Sequence, residues 1–321
     1  MHKYGKQLIA LVFALSSLSC KKDILYFQKA QQLNSGTNER LNRIKFLDRN
    51  ICIVAGGYQF DHSVVLRSAD GGYKWAYTTY PSNRGLYGMD ISAAGVVYMC
   101  GDNGNFFYSK NSGNSFKTEQ VNNLLFNVGI AFPVPDTGYI VSSILQKQGS
   151  ITRIDTNGNI IDNQTFLFGY TNVYMTSAAT GYVIGYGTVM KTIDHGATWN
   201  FQSPEGDNFT GMDIHGDEIW MCGSNGSIYH TMNGGANWQR QRNGNDFTQI
   251  HYGLRCIVFK DENNGWAAGD DGKIIHSDDG GNHWSGYDQF TTNTLRCITL
   301  CPNGDLLVAG DNGSLFRLTT K

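Results

Sequence analysis

One phrase recurs along the chain: SADGGYKW at 68–75, SKNSGNSF at 109–116, TIDHGATW at 192–199, TMNGGANW at 231–238 and SDDGGNHW at 277–284. All share the frame Ser/Thr-x-Asp/Asn-x-Gly-x-x-Trp/Phe. Successive copies stand about 40 residues apart except across one gap of double length, and such a period marks an array in which each unit is one supersecondary element. The gap holds a degenerate copy without the aromatic, TRIDTNGNII at 152–161. From Thr294, TLRCITLCPNGDLLVAGDNGSLFRLTTK opens a further unit that stops after its third strand. Seven units are expected, the last one short.

The fullest unit, residues 254–290, divides into four β-like runs: LRCIVF, GWAAG, KIIHS and HWSGYDQF. Between the second and third lies GDDG (269–272), matched by GDNG (101–104), GSNG (223–226) and GDNG (310–313). Gly/Asn/Asp pairs of this kind supply the positive φ that tight turns between twisted antiparallel strands require. Four strands in about 40 residues predict an all-β chain, a seven-bladed β-propeller of four-stranded antiparallel blades. The missing last strand is expected from Ile24–Gln28, which would close the ring, with AQQLNSGTNERLN as a connector to the first blade. Gly at 39 of 321 residues suits so many turns, and 40% hydrophobic content supplies a core. With 25 Lys+Arg against 27 Asp+Glu, no general attraction to nucleic acid is expected.

The chain starts MHKYGKQLIALVFALSSLSCKK, with basic Lys3 and Lys6, an apolar run from Leu8 to Leu15, and small residues up to Cys20. That run is too short to span a bilayer and reads as an export signal. It resembles bacterial lipoprotein signals, although Ser17 stands where that pattern prefers Leu. The resemblance implies a signal peptide over 1–19 and lipidation at Cys20. It also implies a lipid-anchored segment with closing strand and connector over 20–42, and a propeller over 43–321. The expected place is a bacterial cell envelope, at the outer membrane or cell surface, as Lys21 and Lys22 favour; without lipid the protein would be secreted or periplasmic.

Export and six further cysteines invite a disulfide framework. Their positions argue otherwise: Cys100 and Cys222 occupy the place that Ala268 holds in another unit, and Cys256 and Cys297 both sit in LRCI. A cysteine exchangeable with alanine acts as a small buried hydrophobe. Cys297 and Cys301, four apart on a strand, would be about 13 Å from each other, too far to bridge. Neither a CxxC pair nor a Cys/His cluster with metal spacing is present, so no metal or cofactor is expected.

The frame resembles the Asp-box, or BNR repeat, of sialidases, sortilin-type receptors, xyloglucan-cleaving hydrolases and photosystem II assembly-factor propellers. Its residues here are Ser68, Asp70, Gly72 and Trp75; Ser109, Asn111, Gly113 and Phe116; Thr192, Asp194, Gly196 and Trp199; Thr231, Asn233, Gly235 and Trp238; and Ser277, Asp279, Gly281 and Trp284. A hydroxyl and a carboxylate two residues apart can bond turn backbone, Gly permits a positive φ, and the aromatic buries itself between sheets. A structural role is expected, on the turn between third and fourth strands.

Function is then sought on the opposite face, where innermost strands begin. Arg255 and Arg296 hold the same place in adjacent units, Arg43 lies one place further along in the first unit, and His251 and Tyr252 precede Arg255. Together they would form a basic partner-binding patch at the channel mouth; the alternative is separate arginines bonded to carbonyls or to Asp270, Asp271 and Asp311. Repeats of the form LxxIxFxDxxxGWAxGxxGxIxxSxDGGxxW resemble the photosystem II assembly-factor family, most strongly over 254–284, fairly over 43–116 and 170–240, and poorly over 126–166. The resemblance implies a monomeric, lipid-anchored scaffold that recognises a protein client or glycan without catalysis, and carries Arg255 and Arg296 into its arginine-bearing surface. The competing expectation is a carbohydrate-active hydrolase, sialidase-like or another glycosidase, using carboxylates such as Asp102, Asp270, Asp271 and Asp311. The chain lacks the Arg-Ile-Pro motif of sialidases.

Overall fold

The computed structural model describes residues 24–58, 61–81, 84–121, 125–144, 147–245 and 252–320. The N-terminal segment read as an export signal, with Cys20, lies outside the described residues. Seven four-stranded sheets are present, and within each the strands pair antiparallel in order. Blade one comprises Leu41–Phe46, Cys52–Gly57, Ser63–Ser68 and Ala76–Tyr80. The innermost strands of blades two to seven are Leu86–Ile91, Asn127–Ala131, Tyr170–Met175, Phe209–His215, Leu254–Phe259 and Leu295–Leu300. Second strands such as Cys52–Gly57 and Gly265–Gly269 are buried along their length, whereas Ala76–Tyr80 at the rim is largely exposed.

The core lies between blades. Trp220 of blade five stacks on Phe259 of blade six with ring centroids 3.8 Å apart, and Tyr98 of blade two on Phe132 of blade three at 3.6 Å. Burying such a ring contributes about 1.5–3 kcal/mol, so each blade is stabilised chiefly by its neighbours. The GDNG-type segments form the anticipated turns: Asn103 and Gly104 have φ of 57° and 75°, and Asn105 N–H bonds back to the Asp102 carbonyl. Cys52, Cys100, Cys222, Cys256, Cys297 and Cys301 are all free. Burial pushes the Cys100, Cys222 and Cys297 thiols up to about 12, which keeps them protonated and inert.

An N-terminal strand does close the ring, but it is Lys29–Gln32 rather than Ile24–Gln28. It pairs antiparallel with Leu315–Thr319, from Lys29 opposite Thr319 to Gln32 opposite Phe316. The expected segment instead straps the edge of blade six. Leu25 bridges to Tyr287 in parallel, its N–H donates to Gly286 O at 2.9 Å, and Asp288 N–H donates to Leu25 O at 2.8 Å. The physical reason is side-chain pattern. Apolar Phe27 stacks on Tyr287 at 3.8 Å and joins the core between blades six and seven, while Lys29, Gln31 and Gln32 suit an exposed rim strand.

The repeated frame forms one hydrogen-bonded clip five times over. In blade six Ser277 Oγ donates to Asp279 Oδ1 at 2.9 Å and accepts from Gly281 N at 2.7 Å, while Asp279 Oδ1 accepts from His283 N at 2.9 Å. Equivalent hydroxyl-to-Asp/Asn bonds of 2.8–2.9 Å join Ser68 to Asp70, Ser109 to Asn111, Thr192 to Asp194 and Thr231 to Asn233. The hydroxyl residues are buried. Bonds from the Thr198 hydroxyl and N–H, then from Thr192, hold the Asp194 carboxyl down to about 2.

Candidate functional site

Every inner strand carries a β-bulge at the same place. Register skips one residue between Leu41 and Arg43, Leu86 and Gly88, Asn127 and Gly129, Tyr170 and Asn172, Phe209 and Gly211, Leu254 and Cys256, and Leu295 and Cys297. The skipped residues are Asn42, Tyr87, Val128, Thr171, Thr210, Arg255 and Arg296. A bulged residue has no ladder partner and its side chain is re-aimed. All seven line one cavity of about 180 Å³ at the channel mouth, together with Arg43, Phe126, Ser143, Tyr170 and Tyr186.

Five of the seven bulge side chains make hydrogen bonds of two kinds, while Tyr87 packs edge-on to Phe126 and Val128 is apolar. Asn42 donates to Leu86 O at 2.8 Å and Thr210 to Leu254 O at 2.8 Å, while Thr171 donates to Phe209 O, each stitching its blade to the next. Arg255 and Arg296 make no such stitch. Arg255 forks onto Asp270 of its own blade at 2.8 and 2.9 Å, and Arg296 onto Asp311 at 2.5 and 3.1 Å. Asp270 and Asp311 are the first residues of the tight turns, so the turn sequence that shapes the hairpin also holds the guanidinium plane.

Arg43 occupies the place that glycine takes in three other blades, where neighbouring backbones crowd the axis: a Cβ on Gly129 would lie 2.8 Å from Asn172 Cα. Its guanidinium donates to Asn42 O at 3.0 Å and reaches across to Val128 O at 3.3 Å. Among the described residues no carboxylate pairs with it. Like Thr210, Arg255 and Arg296, Arg43 lines both the mouth cavity and a second cavity of about 520 Å³ along the channel, walled by Met89, Met175, Met212, inner-strand isoleucines and the charged Lys45, Asp90 and Asp213. It therefore stands at the boundary between the two.

The structure brings Arg43, Arg255 and Arg296 together, and it also gives each a carbonyl or carboxylate partner. Tyr252 is not part of that cavity. It lines a separate recess with Ser224, Asn225, Asp270 and Asp271, and packs under Arg242 with the guanidinium 4.7 Å from its ring. His251 lies outside the described residues. Sequence reading missed Arg40, which meets Asp311 at 3.2 Å and covers Tyr58 at 5.3 Å, and Arg84, which meets Asp102 at 3.2 Å. The signal was present: both stand just ahead of an inner strand, in Arg40-Leu41 and Arg84-Gly85-Leu86. Tyr87 and Tyr186 were also missed, and burial pushes the Tyr87 phenol up to about 12, leaving it a hydrogen-bond donor at neutral pH.

Away from the cavity, Glu39, Asp61 and His62 hold ligand-type atoms within 4.8 Å of one another. The imidazole places Nε2 3.5 Å from Glu39 and Nδ1 3.0 Å from Asp61. Two ring nitrogens facing two different carboxylates make an ion-pair arrangement rather than a single point of coordination.

The family model for the photosynthesis system II assembly factor YCF48 matches residues 163–249, which span blades four and five rather than the unit where the motif is fullest. The photosystem II assembly lipoprotein Ycf48 of Synechococcus sp. (strain CC9902) is 35% identical over 75 residues, 22% of this chain and 22% of that protein. A solved structure of YCF48 bound to D1 peptide superposes with a TM-score of 0.70 at 18% identity, over 96% of this chain and all of the other. Virginiamycin B lyase from Staphylococcus aureus reaches a TM-score of 0.69 at 14% identity, over 91% of this chain and 99% of its own. Overlap that close with both a YCF48 and a lyase shows the fold alone. Fold, repeat and local sequence match together identify the chain as a seven-bladed Asp-box propeller that resembles the Ycf48 assembly factors.

Proposed function

We propose that this chain is a lipid-anchored, extracytoplasmic binding propeller of the bacterial envelope, acting as a monomer, that takes an anionic segment of a protein client at the bulge-ringed mouth and does no chemistry there. The carrying observation is the bulge side chain of blades six and seven, an arginine forked onto a turn carboxylate where blades one, four and five have a hydrogen bond to the next blade. Packing does not require that arginine, since Asn, Tyr, Val and Thr serve elsewhere. A planar guanidinium aligned by a turn carboxylate is suited to carboxylates of a peptide terminus or an acidic loop. Three arginines, Arg43, Arg255 and Arg296, line the mouth cavity and among the described residues no carboxylate lines it with them, although Asp270 and Asp311 fork two of the three. The solved YCF48 with its D1 peptide supports a peptide client over a glycan. Hydrolysis of a glycoside needs two available carboxylates about 5–9.5 Å apart. Asp270 and Asp311 are instead forked by arginine.

The test is capture of partners from native membranes by immobilised protein, comparing wild type with Arg43→Gln and with the paired change Arg255→Gln, Asp270→Asn. Each charged hydrogen bond lost should weaken capture by about 1.5–3 kcal/mol, roughly tenfold or more. Unchanged capture by folded variants would remove the mouth from the binding surface. Release of a free sugar from envelope glycan would favour the hydrolase.

A further inference from the structure

The described residues begin at Ile24, only four links beyond Cys20, and four links span at most about 14 Å even when fully extended. From Leu25 onward the chain is fastened to the ring. Leu25 is bonded on both sides to the edge of blade six, Gln28 N–H donates to Thr319 O at 2.9 Å, and Phe27 is stacked on Tyr287 and set edge-on to Phe290 at 5.8 Å. An anchor at Cys20 would therefore have no slack on its folded side.

The strap also has two faces. Leu25 and Phe27 turn inward, whereas Ile24 and Tyr26 turn outward with 58% and 63% of their surface exposed. Ile24 and Tyr26, four and six links from an acylated Cys20, can lie no farther than about 14 and about 22 Å from it, close enough for the tyrosine to reach the headgroup layer where such side chains partition. Lys21 and Lys22 stand in the intervening segment and add attraction to anionic lipid.

On the reading that Cys20 is lipidated, we infer that Ile24 and Tyr26 seat in the membrane surface and hold the propeller edge-on, by the rim of blades six and seven. The strap lies on the outermost strands, so the channel axis runs along the membrane. The mouth then opens sideways, toward a segment emerging from a membrane protein standing beside it, instead of facing away from the bilayer.

The experiment uses the full-length mature protein in vesicles of phosphatidylethanolamine and phosphatidylglycerol, labelled with a membrane-impermeant maleimide. Tyr26→Cys is compared with Leu167→Cys, a position 82% exposed between blades three and four, far round the ring. The unsubstituted protein, whose described cysteines are buried or nearly so, serves as the blank. Tyr26→Cys should label several-fold more slowly than Leu167→Cys in vesicles, and equally fast when Cys20→Ser leaves the protein in solution. Equal labelling in vesicles, with lipid mass confirmed on the mature N-terminus, overturns the edge-on seating while leaving the anchor intact. A mature N-terminus without lipid removes the anchor and this inference with it.

Discussion

Blade three and blade six solve the same problem by different means. Blade six has the complete clip, and its outermost strand is only Ser285–Gly286. Blade three lacks the clip, and its outermost strand runs from Ile160 to Phe166, paired along its length with Gln148–Ile154. The buried hydroxyl of blade six is replaced there by a hydrocarbon. Ser277 sits opposite Gly265 in blade six, and Ile154 sits opposite Gly138 in blade three, fully buried. Side chains reinforce the longer ladder: Thr152 donates to Asn163 at 2.7 Å, Ser142 and Ser150 lie 2.7 Å apart, and Arg153 pairs with Asp162 at 2.6 Å. Blade three thus offsets the missing clip with a long outer ladder, and blade seven, closed by Lys29–Gln32, has no clip either, so the clip is a local device rather than a condition of the fold.

The contrast can be broken most severely at Ile154. Ile154→Ser puts a hydroxyl into a site with no Asp two residues on to accept from it, and should cost about 3–5 kcal/mol by lost burial and an unsatisfied polar group. A urea midpoint equal to wild type would show that the clip assembles from its serine alone. Next in size is Phe27→Ala, which removes the stacked ring from the short-edged blade and should cost about 2–3 kcal/mol. Hydrogen exchange should then rise around Ser285–Gly286 and stay unchanged over Ile160–Phe166; a uniform rise would deny that blade six leans on the strap.

Smaller still is Ser277→Ala, which leaves Gly281 N–H buried without its acceptor and should lower stability by about 1–2 kcal/mol. The smallest effect concerns acid. Asp70, Asp194 and Asp279 all titrate below the ordinary 3.8. A depressed folded-state pKa gives stability that is complete above the unfolded value and lost as pH falls through the folded one, here between about 4 and 2. Blades two and five already use Asn111 and Asn233, so the triple Asp→Asn variant should melt like wild type at pH 7. Its melting temperature should fall less steeply than wild type below pH 4. Identical acid limbs would place the titration elsewhere, for instance at Asp155 of blade three, which is also depressed.

Much of this was legible in the chain. Seven units, the strand count per unit and the turns at GDNG follow from spacing and from residues that tolerate positive φ. Alignment of repeats also put Arg255 and Arg296 at one position. It could not show that the position is a bulge, because a bulge is a difference of one residue between two paired strands and no single strand records it. The closing strand was misplaced for a related reason: ILYFQ is the stronger β sequence, yet its apolar side chains are drawn into a groove between two blades. That groove exists only once both have formed.

Closure of the ring by Lys29–Gln32 against Leu315–Thr319 also sets an order in time. Synthesis delivers Lys29–Gln32 long before Leu315–Thr319, so this sheet cannot be completed until everything between them has been made. Joining segments so far apart carries a loop-closure cost that grows with separation, and slow non-local pairing is the rule for such topologies. If the seventh blade is last to form, the nascent propeller waits as an open arc. During that wait the strap's Phe27 and the edge of Leu315–Thr319 are available to chaperones and to mispairing, and the window shuts only when the two ends meet.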